Sequence, residues 1–421
     1  MPGCSGPQTS YPFPKMYNLS IVLLAFISRL AAPFRKKVRL MTHGQQDTYR
    51  HLKEKIDRQA RYIWFHAASL GEFEQARPLI ESVKRDHPAY KILLTFFSPS
   101  GYEVRKDYPL ADIVCYLPFD TKKRVRRFLD LANPHIAIFI KYEFWYNYIH
   151  ESYLRHIPVY LVSAVFRPNQ PFFKKYRSSY GKMLGLYTHF FVQDEASAIL
   201  LRDHGIRQVT VAGDTRIDRV IAIQHEARPL PLIGKFAGEH ALVFVAGSSW
   251  APDEALFIDY FNRNSGMKLI VAPHEIHESH LAEIEKQLKR PHLRYSRATE
   301  DNVAAQDCLI IDSFGLLSSV YRYGHIGYIG GGFGAGIHNL AEAAVYGIPV
   351  VFGPRYAKFR EACGLISAGG GYSIQNKTEF NQRMDLFLTN PAERITAGEK
   401  ARQFISGNTG ATAAIMQHLS L

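Results

Sequence analysis

Short apolar runs separated by amphipathic stretches recur from residue 61 onward, and this alternation limits the fold more than any other feature of the chain. In the first half the runs are Tyr62–His66, Ile92–Phe96, Ile113–Tyr116, His135–Ile140, Val159–Val162, Phe190–Val192 and Val209–Val211. Each is too short for a buried helix and rich in branched or aromatic residues, so each reads as a strand. Helical patterns lie between most of them, which predicts a parallel sheet with helices on both faces. Around 226–240 the chain loosens, with Arg228-Pro-Leu-Pro231, and reads as a linker. A second series follows: Ala241–Ala246, Lys268–Ala272, Cys308–Ile311, His325–Ile329 and Pro349–Phe352. The expected fold is α/β, with two Rossmann-like doubly wound domains at 39–225 and 241–421 facing each other across a cleft. The helical segment after 376 can pack back onto the first domain. A length of 421 residues and a hydrophobic share of 47% suffice for two such cores.

The most informative stretch is Tyr328-Ile-Gly-Gly-Gly-Phe-Gly-Ala-Gly-Ile-His-Asn-Leu-Ala-Glu342, followed by Gly347-Ile-Pro-Val-Val-Phe352. It predicts strand, glycine turn, helix, strand. Glycines at 330–332, 334 and 336 permit backbone angles and approaches that a Cβ would block. His338 and Asn339 fall in the first turn of the expected helix, where N–H groups and the dipole suit a phosphate, and Glu342 lies within reach of a ribose. Gly330-x-Gly332-x-x-Ala335 formally fits a dinucleotide fingerprint, but Phe352-Gly-Pro354 stands where that fingerprint wants an acid. A purely structural turn is the plain alternative.

Other strand ends carry polar residues. Glu72 follows the first strand in Ser69-Leu-Gly-Glu72, placed either to cap a helix or to act as a base. Ser98 and Ser100 enter the next helix and can bind an anion or merely cap. Lys141 and Glu143 follow the strand 135–140, as a polar pair facing the cleft or an inconsequential ion pair. Ser248 and Ser249 can hold a phosphate, and Ser249 can equally cap a helix. Pro273-His274-Glu-Ile-His277-Glu-Ser-His280 resembles a metal cluster only superficially, since it lacks the H-E-x-x-H spacing. His274 reads as a phosphate or base contact.

Residues 1–15 are rich in Pro, Gly and Ser and read as a disordered leader, with Met16 a candidate start. The segment 16–38 reads as an apolar helix flanked by Arg35-Lys-Lys37. Its clean apolar run stops at Arg29, short of the roughly 20 residues that span a bilayer. It is expected to lie in or dip into a leaflet, with the basic flank on anionic headgroups. The net charge of +13 suggests an acidic partner. Without zinc-ribbon spacing, an RNA-binding aromatic signature or a basic heptad array, nucleic acid is the weaker candidate. Cys4, Cys115, Cys308 and Cys363 are far apart and form no CxxC pair, which fits a reducing compartment.

Taken in order, Ser-Leu-Gly-Glu72, Glu143-Phe-Trp-x-Asn147, Ala212-Gly-Asp-Thr-Arg-Ile-Asp218, Gly247-Ser-Ser, and the glycine stretch through His338-Asn-Leu-Ala-Glu342 to Gly353-Pro354 form a set. The set resembles the 3-deoxy-D-manno-octulosonic acid (Kdo) transferases of Gram-negative bacteria, from about residue 16 onward. The resemblance implies a GT-B fold and inverting transfer of Kdo from CMP-Kdo to the lipid A precursor lipid IVA. It implies the cytoplasmic face of the inner membrane, with anionic lipid as a further partner, and neither metal nor other cofactor. Glu72 maps onto the family's base, which reverses the local preference for a cap. Ser248, Ser249, His274, Gly334, Gly336, His338, Asn339 and Glu342 map to the donor nucleotide. Ser98, Ser100, Lys141, Glu143 and Arg216 map to the donor sugar or the acceptor. The chain departs from the pattern at Pro273, where many members carry Arg, at Lys141 in place of a carboxylate, and at Tyr146 in place of Pro. Rival readings are another GT-B nucleotide-sugar transferase or epimerase, and a non-catalytic anionic-lipid-binding protein.

Overall fold

The computed structural model describes residues 12–174, 178–239, 241–419 and 421. Residues 1–11, most of the expected leader, lie outside that set, but a helix runs from Pro12 through the rest of it. The chain divides into two compact units, one made of residues up to Arg219 together with Gly410–Leu421, the other of Val220–Thr409.

The first unit is built on β1 (Tyr62–Ala67), β2 (Lys91–Phe96), β3 (Ile113–Tyr116), β4 (Ile136–Ile140), β5 (Val159–Ala164), β6 (His189–Val192) and β7 (Val209–Val211). They form one parallel sheet in the order β3-β2-β1-β4-β5-β6-β7. The order reverses between β1 and β4, the switch point at which doubly wound sheets bind ligands. Both faces of β1 are buried. Trp64 points to a core with Phe128, Phe139 and Tyr148, and Ile63 and Phe65 to one with Phe73, Leu79 and Ile138. Continuous rather than alternating hydrophobicity in these strands follows from that two-sided cover.

Helices α1 (Pro12–Ala31), α2 (Lys36–Lys55), α3 (Leu70–Asp86), α4 (Pro99–Arg105), α5 (Lys122–Ala132) and α6 (Tyr146–Leu154) belong to this unit. The expected break near residue 38 is absent, because α2 is part of the first core: its buried Thr48 hydroxyl donates to the Tyr116 carbonyl at 2.7 Å. Gly44 lets α2 lie on the Tyr116 ring, which any Cβ would strike. α1 docks more lightly. Ile21 and Ala25 meet Phe119, Tyr17 Oη donates to Asp120 Oδ2 at 2.6 Å, and Asn147 Nδ2 donates to Asn18 Oδ1 at 2.8 Å. Burial pushes the Asp120 carboxyl up to about 7, against the pull of Tyr17 and the N–H groups of Asn147 and Tyr148. The other side of α1 is bare: Leu19 is 70% exposed, Phe26 58% and Leu30 59%, and Phe34 just beyond the helix is 87% exposed. No single helix among the described residues is long and apolar enough to cross a bilayer; α1 and α2 pass that test only as a pair bent by 118°.

The second unit carries β8 (Leu242–Ser249), β9 (Met267–Pro273), β10 (His292–Arg294), β11 (Cys308–Ile310), β12 (Ile326–Ile329), β13 (Val350–Phe352) and β14 (Gly371–Ser373). They form a parallel sheet in the order β10-β11-β9-β8-β12-β13-β14, with its switch point between β8 and β12. The stretch 226–240, expected to be a linker, holds the helix Pro231–Ala237 with Ile233 and Phe236 fully buried. Pro231 sits in its first turn, where the missing N–H does no harm. Of the helical segment after 376 only the end returns to the first unit: the helix Ala411–His418 packs there, with Ile415 and Leu419 in the core beneath α3. Asp218 fixes this return by accepting N–H bonds from Gly410 at 2.7 Å and Thr412 at 2.6 Å.

Candidate active site

Each unit gathers its candidate residues at its own switch point. In the first, β1 runs out through Ala67 into Ser69, the N-cap of α3, and Glu72 falls in the first turn of that helix, half-buried. The Ser69 hydroxyl donates to Glu72 Oε2. From the adjacent β4 come Lys141, held at φ +68°, and Tyr142. The Lys141 Nζ lies 5.5 Å from the centre of the Tyr142 ring. Burial lifts the Tyr142 phenol, and the charges of Arg167, Asp194, Arg216 and Glu72 all act on it, so Glu72, Lys141 and Arg216 share one neighbourhood.

Arg216 is oriented by Asp214, whose Oδ2 accepts from its Nη2 at 2.7 Å and its Nε at 3.1 Å. Burial alone would lift Asp214. The Arg216 guanidinium and the Gln75 amide overcome it and hold that carboxyl below its ordinary value. Ser98 caps α4, accepting from the Ser100 N–H at 3.3 Å, and the two hydroxyls lie 2.9 Å apart. The cap and the anion-contact readings of this pair therefore use the same atoms.

Glu143 fits neither the expected polar pair facing the cleft nor an ion pair with Lys141. Its carboxylate turns inward, 8% exposed, where His66 Nε2 lies 3.0 Å away and Trp145 Nε1 donates at 2.5 Å. Behind His66, Thr95 Oγ1 lies 2.9 Å from Nδ1 and accepts from Trp64 Nε1 at 2.8 Å. This buried chain braces β1 against β4 below Glu72 and Lys141. It is a support and not a contact surface.

In the second unit, β8 ends in Gly247, Ser248 at φ +52° and the buried Ser249. Ser249 neither caps a helix nor faces outward: its hydroxyl donates to Glu254 Oε1 at 2.8 Å. The cap position belongs to Trp250, whose N–H donates to Asp253 Oδ2 at 3.0 Å in the helix Ala251–Arg263. Asp253 also accepts from the Gly331 N–H at 2.9 Å and the Tyr328 hydroxyl at 2.7 Å, so one buried carboxyl ties the exit of β8 to that of β12. Gly331 turns at φ +89°. Gly330 is needed for a different reason, since a Cβ there would run into the Ser248 carbonyl.

The helix after the glycine turn is shorter than the sequence implies. It is the single turn Ala341–Ala344, so His338 and Asn339 precede it and the expected dipole is nearly lost. Asn339 Nδ2 donates to Glu342 Oε1 at 2.8 Å, which joins these two candidates. Gly334 and Gly336 lie in the loop itself, each donating its N–H to the Gly331 carbonyl, at 2.9 and 3.1 Å.

What the loop presents is an aromatic stack. The His338 ring lies 4.4 Å from that of His274, which lies 4.7 Å from Trp250, both pairs stacked. Trp250 Nε1 is 3.3 Å from His338 Nε2, which assigns Nε2 as acceptor and puts the His338 proton on Nδ1. Burial, with a smaller push from His274, holds His338 down to about 4, and burial also lowers His274. Both imidazoles are thus neutral near pH 7, and an anion beside them would draw protons onto them. The sign for stability follows. The unfolded His338 takes up its proton near 6.5 and the folded one near 4, so stability is full above 6.5 and falls as the pH drops towards 4. Thermal melts from pH 7 to 4.5 should show this decline, and His338→Asn should flatten it; an unchanged slope would mean that the ring is not held neutral by the fold.

The remaining histidines of the suspected metal cluster diverge. His280 Nε2 sits 2.8 Å from Glu254 Oε2 and His277 Nε2 sits 2.9 Å from Glu275 Oε2. Among the described residues no group of three or more potential metal ligands comes together.

Residues 41–219 match the 3-deoxy-D-manno-octulosonic-acid transferase (kdotransferase) family, a span that ends with the main segment of the first unit. A 3-deoxy-D-manno-octulosonic acid transferase of Aquifex aeolicus is 28% identical over 358 residues, 83% of this chain and 92% of its own. Over most of its length the chain is similar to Kdo transferases. A further Kdo transferase, from Rickettsia felis, is 25% identical over 87% of this chain and 81% of its own. Among solved structures, the UDP-GlcNAc 2-epimerase of Neisseria meningitidis superposes with a TM-score of 0.60 at 13% identity, covering 85% of this chain and 98% of its own. That likeness is one of fold, the GT-B class with its two doubly wound sheets. The family's activity is glycosyl transfer.

Trp250, Asp253 and Tyr328 were not singled out by the sequence reading. The one local signal is Trp250-Ala-Pro-Asp253, with Pro at the second helical position and an acid at the third. The contacts with His338 and Gly331 span 88 and 78 residues and leave no local trace.

Proposed function

We propose that the protein transfers Kdo from CMP-Kdo to the lipid A precursor lipid IVA, with inversion at the sugar carbon. The reading is supported chiefly by one observation: in a chain whose residues 41–219 match the Kdo transferase family, a carboxylate lies at the switch point of one sheet and a neutral histidine stack beside a glycine loop at that of the other. Glu72 takes the proton from the acceptor hydroxyl. The freed oxygen attacks the anomeric carbon of Kdo as the bond to the CMP phosphate oxygen breaks, and CMP leaves with that electron pair. His274 and His338 meet the leaving phosphate with the loop around Gly334 and Gly336, and gain positive character as it arrives. Asn339 and Glu342 take the nucleotide. Ser98, Ser100, Lys141 and Arg216 take the carboxylate of Kdo or the phosphates of the acceptor. These donors can neutralise the leaving group themselves, so we assign no metal and no other cofactor a role.

We also propose that α1 lays its bare apolar side in the inner leaflet at the cytoplasmic face of the inner membrane, with Arg35–Lys37 on anionic headgroups. A lipid-borne acceptor then meets the protein at the bilayer surface. Mixing the protein with a CMP-Kdo generating system and lipid IVA, with UDP-sugars in a parallel arm, tests the assignment. The expected result is release of CMP and a lipid heavier by whole Kdo units. Consumption of a UDP-sugar and not of CMP-Kdo would favour another nucleotide-sugar enzyme, and consumption of neither would favour a lipid-binding protein.

A further inference from the structure

A second candidate site lies in the first unit, between α1, α2 and α5. It is an open pocket of about 330 Å³, lined among others by Arg29 of α1, Gln45 of α2, and Lys123, Arg124 and Arg127 of α5. None of its four cations forms an ion pair among the described residues. The Arg127 guanidinium lies 4.2 Å from the centre of the Tyr49 ring and that of Arg124 lies 5.6 Å from Phe119, so aromatic faces hold two of them in position. Of the acids around it, Asp120 is buried and occupied by Tyr17, Asn147 and Tyr148, Asp47 of α2 pairs with Arg50, and Asp130 of α5, which shares a neighbouring pocket with Lys123 and Arg127, pairs with Arg155.

Two further observations point to an anion. α5 opens with Lys122-Lys-Arg124 and has no acidic residue in its first turn. Cations there oppose the positive end of the helix and repel one another, so the arrangement destabilises the empty pocket. Independently, Gln45 is 4% exposed and its Nε2 has no hydrogen-bond partner. A buried unpaired amide costs free energy. The side-chain amide has two nearly isosteric settings, one of which offers the N–H donors to the pocket. The position of the pocket indicates where the anion comes from: Arg29 stands on the same helix as the exposed Phe26 and Leu30. An amphiphile whose tails run along α1 would set its phosphate here.

We propose that this pocket binds the phosphate of a membrane-lipid headgroup, through Arg29, Lys123, Arg124, Arg127 and the amide of Gln45. It rests on the placement of α1 in the leaflet proposed above but uses none of the residues assigned to transfer, so a failure of the transfer assignment alone leaves it standing. The test is sedimentation of the full-length chain with vesicles of phosphatidylcholine alone and with added phosphatidylglycerol. The Arg124→Gln/Arg127→Gln pair should bind the phosphatidylglycerol vesicles roughly thirty-fold more weakly, at about 1 kcal/mol per basic side chain. Gln45→Leu changes no charge and should still weaken that binding about five-fold, while melting no lower than the parent because it removes an unpaired buried group. Binding to phosphatidylcholine vesicles, driven by α1, should be unchanged in both variants. Parent-like binding of both variants to phosphatidylglycerol would overturn the proposal, as would equal losses on both vesicle types, which would indicate damage to α1. Inorganic phosphate is the third arm. If it binds the parent tightly, is lost in Gln45→Leu, and vesicle binding stays intact, the site takes free phosphate and the lipid assignment fails.

Discussion

Under the proposed reaction, Glu72→Gln should lower kcat for Kdo transfer by roughly two to four orders of magnitude, the range of general-base catalysis, and leave CMP affinity unchanged. The amide has the size of the carboxylate and its oxygen can still accept from Ser69, so the start of α3 is kept. What it cannot do is take a proton. The competing view of this residue, that it only completes the cap of α3, predicts the opposite: Gln caps nearly as well as Glu, and transfer would continue. The two views also divide at Ser69→Ala. The Ser69 hydroxyl caps no N–H of α3 and only donates to Glu72, so Ser69→Ala should cost about 1 kcal/mol of stability at most and leave most of the transfer, whereas Glu72→Gln should cost activity and almost no stability. Mass counting of Kdo on the lipid product, with calorimetry of CMP binding and a thermal melt on the same samples, separates these outcomes. Retained transfer in Glu72→Gln would mean that another group takes the proton.

Why Glu72 could be placed at a strand end from sequence, and the contacts of Asp253 could not, is a matter of range. A residue just after a strand of a doubly wound sheet stands at the ligand-binding edge whatever its partners are, so Glu72, Lys141, Ser248, His274 and His338 were legible once the strands were. The strands themselves were legible because both faces of the central ones are buried, as in Ile63–Phe65 and Val243–Ala246. β10 and β14 were missed for the complementary reason. They are edge strands of three residues each, they contain His292 and Arg294 or Gly371 and Ser373, and they show no apolar run to detect. The helix 231–237 was read as linker because its opening prolines look like a break, although Pro231 is where a helix tolerates one. The side-chain pairings were out of reach, because nothing near Glu143 indicates that it turns inward to His66, 77 residues earlier. The length of the helix after the glycine loop was overestimated for a related reason: Ala341-Glu-Ala-Ala344 has high helix propensity, but propensity does not fix where tertiary contacts stop a helix.

The second large effect is expected at Asp253. Replacing it by Ala leaves the Tyr328 hydroxyl and the Trp250 and Gly331 N–H groups without their acceptor. With each lost partner costing about 1–3 kcal/mol when the group is buried, the second unit should lose on the order of 3 kcal/mol or more, seen as an earlier denaturant midpoint. CMP affinity should fall with it, because Gly331 at φ +89° starts the loop that carries His338, and Trp250 fixes the His338 tautomer. Asp253→Asn is milder and gives a pH signature. Burial lifts the Asp253 carboxyl above its ordinary value of 3.8 against the three donors that pull it down. Its contribution is therefore fullest below that ordinary value and declines as the pH rises through the lifted one, a slope the Asn variant should lack. Hydrogen exchange at the Gly331 amide distinguishes loosening of the loop from general unfolding, since only the former raises exchange there while β8 and β12 stay protected. If Asp253→Ala melts with the parent and binds CMP as tightly, the loop is held by its glycine packing against Ser248 and Gly353 alone, and the carboxyl is dispensable.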